Sequence, residues 1–123
     1  MSVHDSLRGL FVKPYKQIDA LEAKDRMDSG AILIDVREPP EWQAGHAQGA
    51  RHIPLAQLDQ RQRELPAGRS IITVCRSGAR SARAASLLAA QGREVSNLRG
   101  GMRPWVAGGL PLVAKGGRQG AVI

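Results

Sequence analysis

The single cysteine of the chain, Cys75, stands between an apolar run and a loop rich in arginine and serine. Residues 70–74 read Ser-Ile-Ile-Thr-Val, which is typical of a buried strand, and residues 81–91 predict a helix. Cys75 is therefore expected at the carboxyl end of a strand, facing the exposed N–H groups of the next helix. Open α/β sheets bind ligands at that edge, and a helix dipole with nearby guanidinium groups stabilises a thiolate. The pattern predicts a reactive cysteine.

The segment that follows the predicted strand has the composition of an anion-binding loop. Successive backbone N–H groups in such a turn converge on one point, and the glycine at position 78 relieves strain where the chain curves. Arg76 and Arg80 supply positive charge, and the hydroxyls of Ser77 and Ser81 are further donors, with Ser81 also suited to cap the helix. The predicted site therefore comprises Cys75, Arg76, Ser77, Gly78, Ala79, Arg80 and Ser81.

A structural explanation competes with the chemical one for these residues. A buried cysteine often behaves as an inert small hydrophobe, but two arginines within five residues of Cys75 argue against an apolar pocket. Arg76 and Arg80 could be solvated surface charges, which is the usual environment of arginine. Ligand contact is favoured for both, and more strongly for Arg80 at the end of the loop.

Composition indicates one folded domain without a membrane segment. Of its 123 residues, 42% are hydrophobic and 24% are charged, as in ordinary globular proteins. No run approaches the roughly 20 apolar residues of a transmembrane helix, and the N-terminus lacks the basic and apolar regions of a secretory signal. A lone thiol excludes an intrachain disulfide and is preserved best in a reducing compartment. We expect a cytoplasmic protein that does not bind membranes.

Positive charge is concentrated after residue 50. Residues 51–123 contain twelve Lys or Arg against three Asp or Glu, whereas residues 1–50 contain six against eight. Nucleic-acid binding is one explanation, but aromatic residues, at 3%, are too few to provide stacking surfaces. The excess charge is instead expected to attract small anions or an acidic protein partner.

Strands and helices are predicted to alternate along the chain, which is typical of one parallel α/β sheet. The predicted strands lie at 10–13, 31–36, 50–53, 70–74 and 94–98, and the run at 31–36 suits a strand buried on both faces. The predicted helices lie at 15–27, 55–65 and 81–91. Residues 1–9 are expected to form a flexible leader, residues 10–113 the domain, and residues 114–123 a mobile basic tail.

The length of the loop after Cys75 separates two classes of chemistry. Cysteine phosphatases place five residues between the cysteine and an arginine, usually with a histidine before the cysteine. Here four residues separate Cys75 from Arg80, and Val74 precedes the cysteine. A shorter loop closes around a smaller group, a sulfur atom instead of a tetrahedral phosphate. The segment 75–81 resembles the active loop of a single-domain rhodanese, a thiosulfate sulfurtransferase.

Three other motifs carry the same resemblance, which extends from about residue 14 to residue 111. Two lie upstream of Cys75: residues 33–38 (Leu-Ile-Asp-Val-Arg-Glu) with Glu41-Trp42, and residues 45–50 (Gly-His-Ala-Gln-Gly-Ala) with Ile53-Pro54. The third, residues 98–102 with Trp105, closes the domain. The family fold is a five-stranded parallel sheet flanked by helices on both faces, so the resemblance implies that α/β fold here.

The resemblance also implies a two-step sulfur transfer. The Cys75 thiolate would attack the outer sulfur of a small anionic donor such as thiosulfate, release sulfite and become a persulfide. Cyanide, a small thiol or a protein cysteine would then take that sulfur. Loop amides would hold the persulfide, and Arg76 and Arg80 would favour anionic donors and a lowered thiol pKa. No metal or other cofactor is required.

Residues outside the loop are given supporting roles. Asp35, inside an apolar run, is expected to bond loop amides or to pair with an arginine, because an unpaired buried carboxylate is costly. Arg37 either contacts the substrate or braces the loop, and neither role is favoured. Glu41 is interpreted as a solvated carboxylate rather than a loop brace. His46 is expected to be structural, and Trp105 to pack, with the further option of walling the pocket.

Three other functions compete with sulfur transfer. A rhodanese-like binding or regulatory module with little turnover would use the same loop to dock a partner, although docking alone needs no nucleophile. A phosphatase or arsenate reductase is disfavoured by the short loop and by Val74. Nucleic-acid binding would be only a side effect of basic charge.

Overall fold

The computed structural model describes residues 14–117 and 119–123. Within them the chain forms a five-stranded, all-parallel sheet with the strand order β1-β6-β5-β2-β4. The strands of this sheet are β1 (Lys16–Ile18), β2 (Ile32–Asp35), β4 (Arg51–His52), β5 (Ile71–Val74) and β6 (Val95–Leu98). A short antiparallel pair joins β3 (His46–Ala47) to β7 (Leu112–Val113).

Helices connect the strands in this part of the chain. The α-helices are α1 (Ala20–Asp28), α2 (Pro39–Ala44), α3 (Leu58–Arg61), α4 (Ala79–Ala90) and α5 (Met102–Ala107). Short 3-10 turns lie at Leu55–Gln57, Gln62–Glu64 and Lys115–Gly117. Over the described residues, none of the helices has the length and apolar character that crossing a bilayer requires.

The central strands β2 and β5 are buried on both sides, which explains their continuous apolar sequences. On one face of the sheet, Ile32 and Ile34 pack in a cluster with Leu88 of α4. On the other face, Leu33 packs in a cluster with Trp105 of α5. Successive side chains of a strand point to opposite faces, so each cluster takes alternate residues of β2. The arrangement confirms the predicted five-stranded parallel sheet with helices on both faces.

The first elements of the domain differ from the prediction. The pattern at 15–27 predicts one helix, but Lys16–Ile18 forms β1, and α1 begins only after Asp19. β1 pairs in parallel with β6 along the edge of the sheet, and this pairing overrides a weak helical pattern. The Asp19 carboxylate accepts the Glu22 N–H at 2.8 Å and caps α1.

The two predicted flanking segments have different outcomes. The leader at 1–9 and the strand at 10–13 lie outside the described residues. Beyond residue 113 the chain contacts the domain: the Ala121 N–H donates to the last carbonyl of α2 at 2.8 Å, and Val122 packs against the apolar cluster beneath α1 and α5. These contacts extend the packed structure past the predicted domain boundary, while the mobility of the tail stays a prediction.

Candidate active site

Cys75 directly follows β5, at the carboxyl edge of the central sheet. The residue is 1% exposed, and its Sγ accepts two hydrogen bonds from the loop. The Gly78 N–H donates at 3.0 Å and the Ser81 hydroxyl at 3.3 Å. The sulfur therefore lies against donors that stabilise negative charge, which is the arrangement that a nucleophilic thiolate needs.

The glycine at position 78 sets the geometry of the loop. Its φ of 114° lies in the left-handed region, which residues with a Cβ rarely adopt, and α4 starts at the next residue, Ala79. The helix thus begins before the predicted start at residue 81, and Gly78 rather than Ser81 occupies the N-cap position. Ser81 lies within the first turn, where its hydroxyl is 3.3 Å from Cys75 Sγ and 3.2 Å from the Gly78 carbonyl oxygen and shares its one proton between these two acceptors.

The surroundings of Cys75 lower its pKa below the usual value of a thiol. Burial raises the pKa, because a charged sulfur is less stable away from water. The Ser81 hydroxyl and the nearby N–H groups of Ser81, Gly78 and Ser77 lower the pKa, because they favour the charged sulfur, and together they prevail. A larger fraction of Cys75 is therefore ionised at neutral pH than for an ordinary cysteine.

Arg80, at the end of the loop, forms an ion pair with Glu41 of α2. Its two terminal nitrogens donate to the two carboxylate oxygens at 2.7 and 2.9 Å. The hydrogen bonds to the guanidinium lower the pKa of Glu41 to about 2, and the same bonds raise the pKa of Arg80. Glu41 therefore braces the loop, and its interpretation as a solvated carboxylate is wrong. Arg80 is the arginine favoured for ligand contact, but both of its terminal nitrogens donate to this carboxylate.

Arg76 and Ser77 form the exposed outer surface of the loop. Within residues 14–117 and 119–123, the Arg76 guanidinium has no hydrogen-bond or ion-pair partner. Of the two loop arginines, Arg76 is thus the one whose charge is available to an anionic ligand. The sulfur of Cys75 lies beneath this surface.

Beside the loop, Asp35 and Arg37 form a fully buried ion pair at the end of β2. Arg37 Nη2 donates to Asp35 Oδ2 at 2.7 Å, and Nε donates to both carboxylate oxygens. Asp35 also accepts the backbone N–H of Arg37 at 3.0 Å, and Nη2 reaches the Gly45 carbonyl at 2.7 Å. Asp35 therefore pairs with an arginine, one of the two contacts expected for it, and the N–H that it accepts belongs to Arg37 and not to the Cys75 loop. Complete burial leaves Arg37 no surface for substrate contact. Its hydrogen bonds tie the end of β2 to Gly45 and not to the Cys75 loop, and its Nη1 has no hydrogen-bond partner among the described residues.

Stacked aromatic rings hold the short helix α2 in place. The His46 and His52 rings lie parallel to the Trp42 ring, with centroids 3.4 and 4.8 Å away. His46 Nδ1 contacts the Trp42 carbonyl at 2.8 Å, and His52 Nε2 contacts the Arg37 carbonyl at 2.7 Å. Because a carbonyl only accepts, each of these ring nitrogens carries a proton. His46 thus makes a structural contact, and the stack positions the helix that carries Glu41.

The turn after β6 packs against the loop from the side opposite β2. The Met102 N–H donates to the carbonyls of Cys75 and Arg76 at 3.0 and 3.1 Å. A Cβ added to Gly101 would lie 2.3 Å from the Arg76 carbonyl oxygen, so a glycine is needed at this contact. Trp105, in the helix that follows, is fully buried and packs in the core rather than walling an open pocket.

A family model described as a rhodanese-like domain matches residues 19–108. The matched range includes the strand and loop that carry Cys75 and the helix that carries Glu41. The chain belongs to the rhodanese-like domain family. The match confirms the resemblance that the sequence motifs carry.

Two curated relatives of this rhodanese-like domain are named as sulfurtransferases. A sulfurtransferase from Allochromatium vinosum is 38% identical over 104 residues, covering 82% of this chain and 97% of the relative. Thiosulfate sulfurtransferase GlpE from Ectopseudomonas mendocina is 33% identical over 94 residues, covering 76% of this chain and 86% of the relative. The chain spans 60%, 45% and 50% of the lengths of three further curated relatives.

A solved structure shows a similar arrangement of the chain. The crystal structure of a rhodanese-related protein from Thermoplasma volcanium matches with a TM-score of 0.77 at 28% identity. The match covers 82% of this chain and 100% of that protein. The likeness supports the rhodanese-like fold described above.

Two supports of this rhodanese-like site are not evident in the sequence, and a third has a signal there. Glu41 reaches Arg80 across 39 residues, and the ring of His52 stacks on Trp42, also from another segment. No periodicity signals such contacts. The third support, Gly101, follows another glycine; such a pair marks a turn and also permits a close backbone approach, which is a usable signal.

Proposed function

We propose that this rhodanese-like domain is a sulfurtransferase that moves a sulfane sulfur from thiosulfate or a similar donor to a thiophilic acceptor through a persulfide on Cys75. The observation that carries the proposal is the set of donors around Sγ, the Gly78 N–H at 3.0 Å and the Ser81 hydroxyl at 3.3 Å. The two relatives named as sulfurtransferases support the same class of reaction.

In the first step, the Cys75 thiolate attacks the outer sulfur of thiosulfate. A bond forms between Sγ and that sulfur, the bond between the two sulfurs of thiosulfate breaks, and sulfite leaves with the electron pair. The lowered pKa of Cys75 increases the fraction of protein ready for this attack at neutral pH. The exposed guanidinium of Arg76 attracts the anionic donor.

In the second step, the acceptor takes the outer sulfur. Cyanide, a small thiol or a protein cysteine attacks that atom, the bond to Sγ breaks, and the electron pair returns to Cys75. The Gly78 N–H and the Ser81 hydroxyl stabilise the departing thiolate, and a thiol of lowered pKa is a better leaving group. Neither step needs a metal or other cofactor. A reducing compartment such as the cytoplasm would keep Cys75 in its thiol form between turnovers.

Intact mass after incubation with thiosulfate tests the proposal. The wild-type protein should gain about 32 Da, the mass of one sulfur bonded to the nucleophile. Cys75→Ser should gain nothing. Ser77→Ala, in the same loop but with a hydroxyl that makes neither hydrogen bond to Sγ, is the matched control and should still gain the sulfur. The absence of an adduct in wild-type protein throughout pH 6 to 9 would contradict the proposal.

A rhodanese-like binding or regulatory module is the second candidate function. The 1% exposure of Cys75 favours it, because a shielded sulfur is poorly placed to meet a donor. Such a module would show no mass gain with thiosulfate and would bind its partner equally well after Cys75→Ser. The lowered pKa of Cys75 favours the enzyme, since docking needs no thiolate.

A further inference from the structure

The two sides of the Cys75 loop differ in how their charges are balanced. On the β2 side each arginine next to the site has a carboxylate partner, since Arg37 pairs with Asp35 and Arg80 pairs with Glu41. Opposite charges held at such short distances largely cancel each other's field further away. The β2 side of the site is therefore close to neutral.

On the β6 side, three arginines are exposed. Arg76 lies in the loop, Arg99 directly follows β6, and Arg103 lies in the first turn of α5. None of their guanidinium groups has a hydrogen-bond or ion-pair partner in the part of the chain that the structure describes. We call these three residues the basic rim. It carries part of the excess positive charge of residues 51–123.

Backbone contacts hold the basic rim beside the reactive sulfur. β6 pairs in parallel with β5, so both strands end at the same edge of the sheet. The Met102 N–H, between two rim residues, donates to the carbonyls of Cys75 and Arg76 at 3.0 and 3.1 Å. Gly101 approaches the Arg76 carbonyl so closely that no side chain fits. The basic rim therefore borders the loop that carries Sγ.

We propose that the basic rim binds an acidic segment of a partner protein, and that this segment carries the cysteine that accepts sulfur from Cys75. This inference rests on the proposed sulfur transfer. Guanidinium groups pair with the carboxylates of Asp and Glu through bidentate hydrogen bonds. A small anion needs only the loop donors and Arg76. Arg99 and Arg103 lie on a separate segment. They widen the positive surface, so that a peptide can contact it with several carboxylates.

The aromatic residues favour a protein over a nucleic acid as the partner. Proteins that bind single-stranded nucleic acids stack the bases on exposed aromatic rings. In this domain Trp105 is fully buried, and Trp42 is stacked with His46 and His52. Neither tryptophan is available for stacking beside the basic rim, whereas the unpaired guanidinium groups suit carboxylates.

Transfer of the sulfur to the partner needs no added oxidant or reductant. The thiolate of the partner attacks the outer sulfur of the Cys75 persulfide and forms a new sulfur–sulfur bond. The bond between that sulfur and Sγ breaks, and its electron pair returns to Cys75. The partner leaves as a persulfide, and Cys75 leaves the step as a thiolate.

Two synthetic peptides test the inference. Each contains one cysteine, which is flanked by Asp and Glu in the first peptide and by Asn and Gln in the second. The protein is loaded with sulfur from thiosulfate and desalted, and the loss of about 32 Da with time gives the rate of transfer to each peptide. We expect the acidic peptide to react about tenfold faster at low ionic strength, with an advantage that shrinks as salt screens the charges.

Variants with two reversed charges show which arginines cause the faster reaction of the acidic peptide. Arg99→Glu with Arg103→Glu should lower the ratio of acidic to neutral rates by about tenfold or more, because attraction becomes repulsion. Arg51→Glu with Arg63→Glu is the matched control: both arginines are exposed, and they lie outside the rim, at the first residue of β4 and in the 3-10 turn at Gln62–Glu64. The control has the same change in net charge and should keep the wild-type ratio. Comparing ratios between variants cancels any difference in thiol pKa between the peptides.

Several results would overturn the inference. These are equal rates for the two peptides in the wild-type protein, an unchanged ratio in the rim variant, or an equal fall of the ratio in the control. If no persulfide forms, the proposed function fails, but binding of the acidic peptide to Cys75→Ser, measured by fluorescence anisotropy, still tests the rim. Binding weakened by the rim reversal alone supports the inference. Tighter binding of a single-stranded oligonucleotide at physiological salt contradicts it.

Discussion

The Cys75 loop and the segment that braces it obtain their contacts in different ways. Sγ accepts hydrogen bonds from Gly78 and Ser81, which lie three and six residues further along the same chain. The brace comes from β2 and α2, where Glu41 meets Arg80 across 39 residues of sequence. The ionisation of the sulfur is therefore a local property of the loop, whereas the position of the loop depends on a second part of the chain.

This division predicts two kinds of mutational effect. Substitutions that remove a donor within the loop should change the ionisation and reactivity of Cys75 with little effect on the free energy of unfolding. Substitutions in the brace should change the free energy of unfolding first. A loop substitution that mainly lowers the free energy of unfolding, or a brace substitution that mainly changes the ionisation of Cys75, would show that the two regions are not separate.

Asp35→Asn should cause the largest loss, because it leaves the buried charge of Arg37 without its carboxylate. We expect the free energy of unfolding to fall by about 3–5 kcal/mol, measured by urea denaturation. Asp28→Asn is the matched control, since Asp28 pairs with Lys24 at 2.7 Å on the surface of α1, and it should cost less than about 1 kcal/mol. Equal losses in the two variants would contradict a larger contribution of the buried pair to the free energy of unfolding.

Ser81→Ala should have the largest effect on reactivity. The variant removes the hydroxyl that donates to Sγ at 3.3 Å and so raises the pKa of Cys75 relative to the wild-type protein. A hydrogen bond to a charged group contributes about 1.5–3 kcal/mol, so alkylation by iodoacetamide at neutral pH should slow about tenfold or more. The pH profile of the alkylation rate should move to higher pH. Ser77→Ala should leave this profile in place, and an unmoved profile in Ser81→Ala would refute the local control of ionisation.

Gly101→Ala tests the support that the loop receives from the turn after β6. Gly101 and Gly109 both have a positive φ, 72° and 70°, and the ψ of −146° at Gly101 adds a backbone conformation that residues with a Cβ avoid. A Cβ at position 101 would lie 2.3 Å from the Arg76 carbonyl oxygen, but one at position 109 meets nothing within 4 Å. Gly101→Ala should therefore lose about 1–3 kcal/mol more than Gly109→Ala, measured by urea denaturation, and should slow sulfur transfer. Equal losses would show that this turn does not support the loop.

Glu41→Gln should have the smallest effect on stability, about 1 kcal/mol at pH 7, because the Arg80 side chain is 35% exposed. The pKa of Glu41 is lowered from 4.5 to about 2. The ionised carboxylate therefore stabilises the fold fully above pH 4.5, and this contribution is lost as the pH falls towards 2. In urea denaturation at a series of pH values, the difference between the wild-type protein and the variant should shrink over that range. A difference that is independent of pH would contradict the ion pair.

The Cys75 loop and the centre of the sheet could be predicted from contiguous residues. Cys75 to Ser81 form one segment, so their types and spacing suffice to predict a strand end, a tight loop and a helix. The apolar runs at 31–36 and 70–74 likewise predict β2 and β5, because strands buried on both faces have continuous apolar sequences.

The brace and the edge of the sheet could not be predicted in this way. Glu41 and Arg80 meet only because α2 packs against the loop, and a carboxylate beside a proline pair gives no sign of that contact. β1 has three residues, Lys16–Ile18, which are too few to show an alternating pattern, and its partner strand comes from the other end of the domain. Periodicity indicates which side of an element is buried, but not which neighbour it meets.

Release of sulfite without an acceptor tests sulfur transfer through Cys75 most directly. If the Cys75 thiolate takes the sulfur itself, excess thiosulfate should yield a burst of about one sulfite per chain and then stop, and Cys75→Ser should release none. Addition of cyanide should restart the release. A wild-type protein that releases sulfite only when an acceptor is present, or a burst of the same size in Cys75→Ser, would contradict the account.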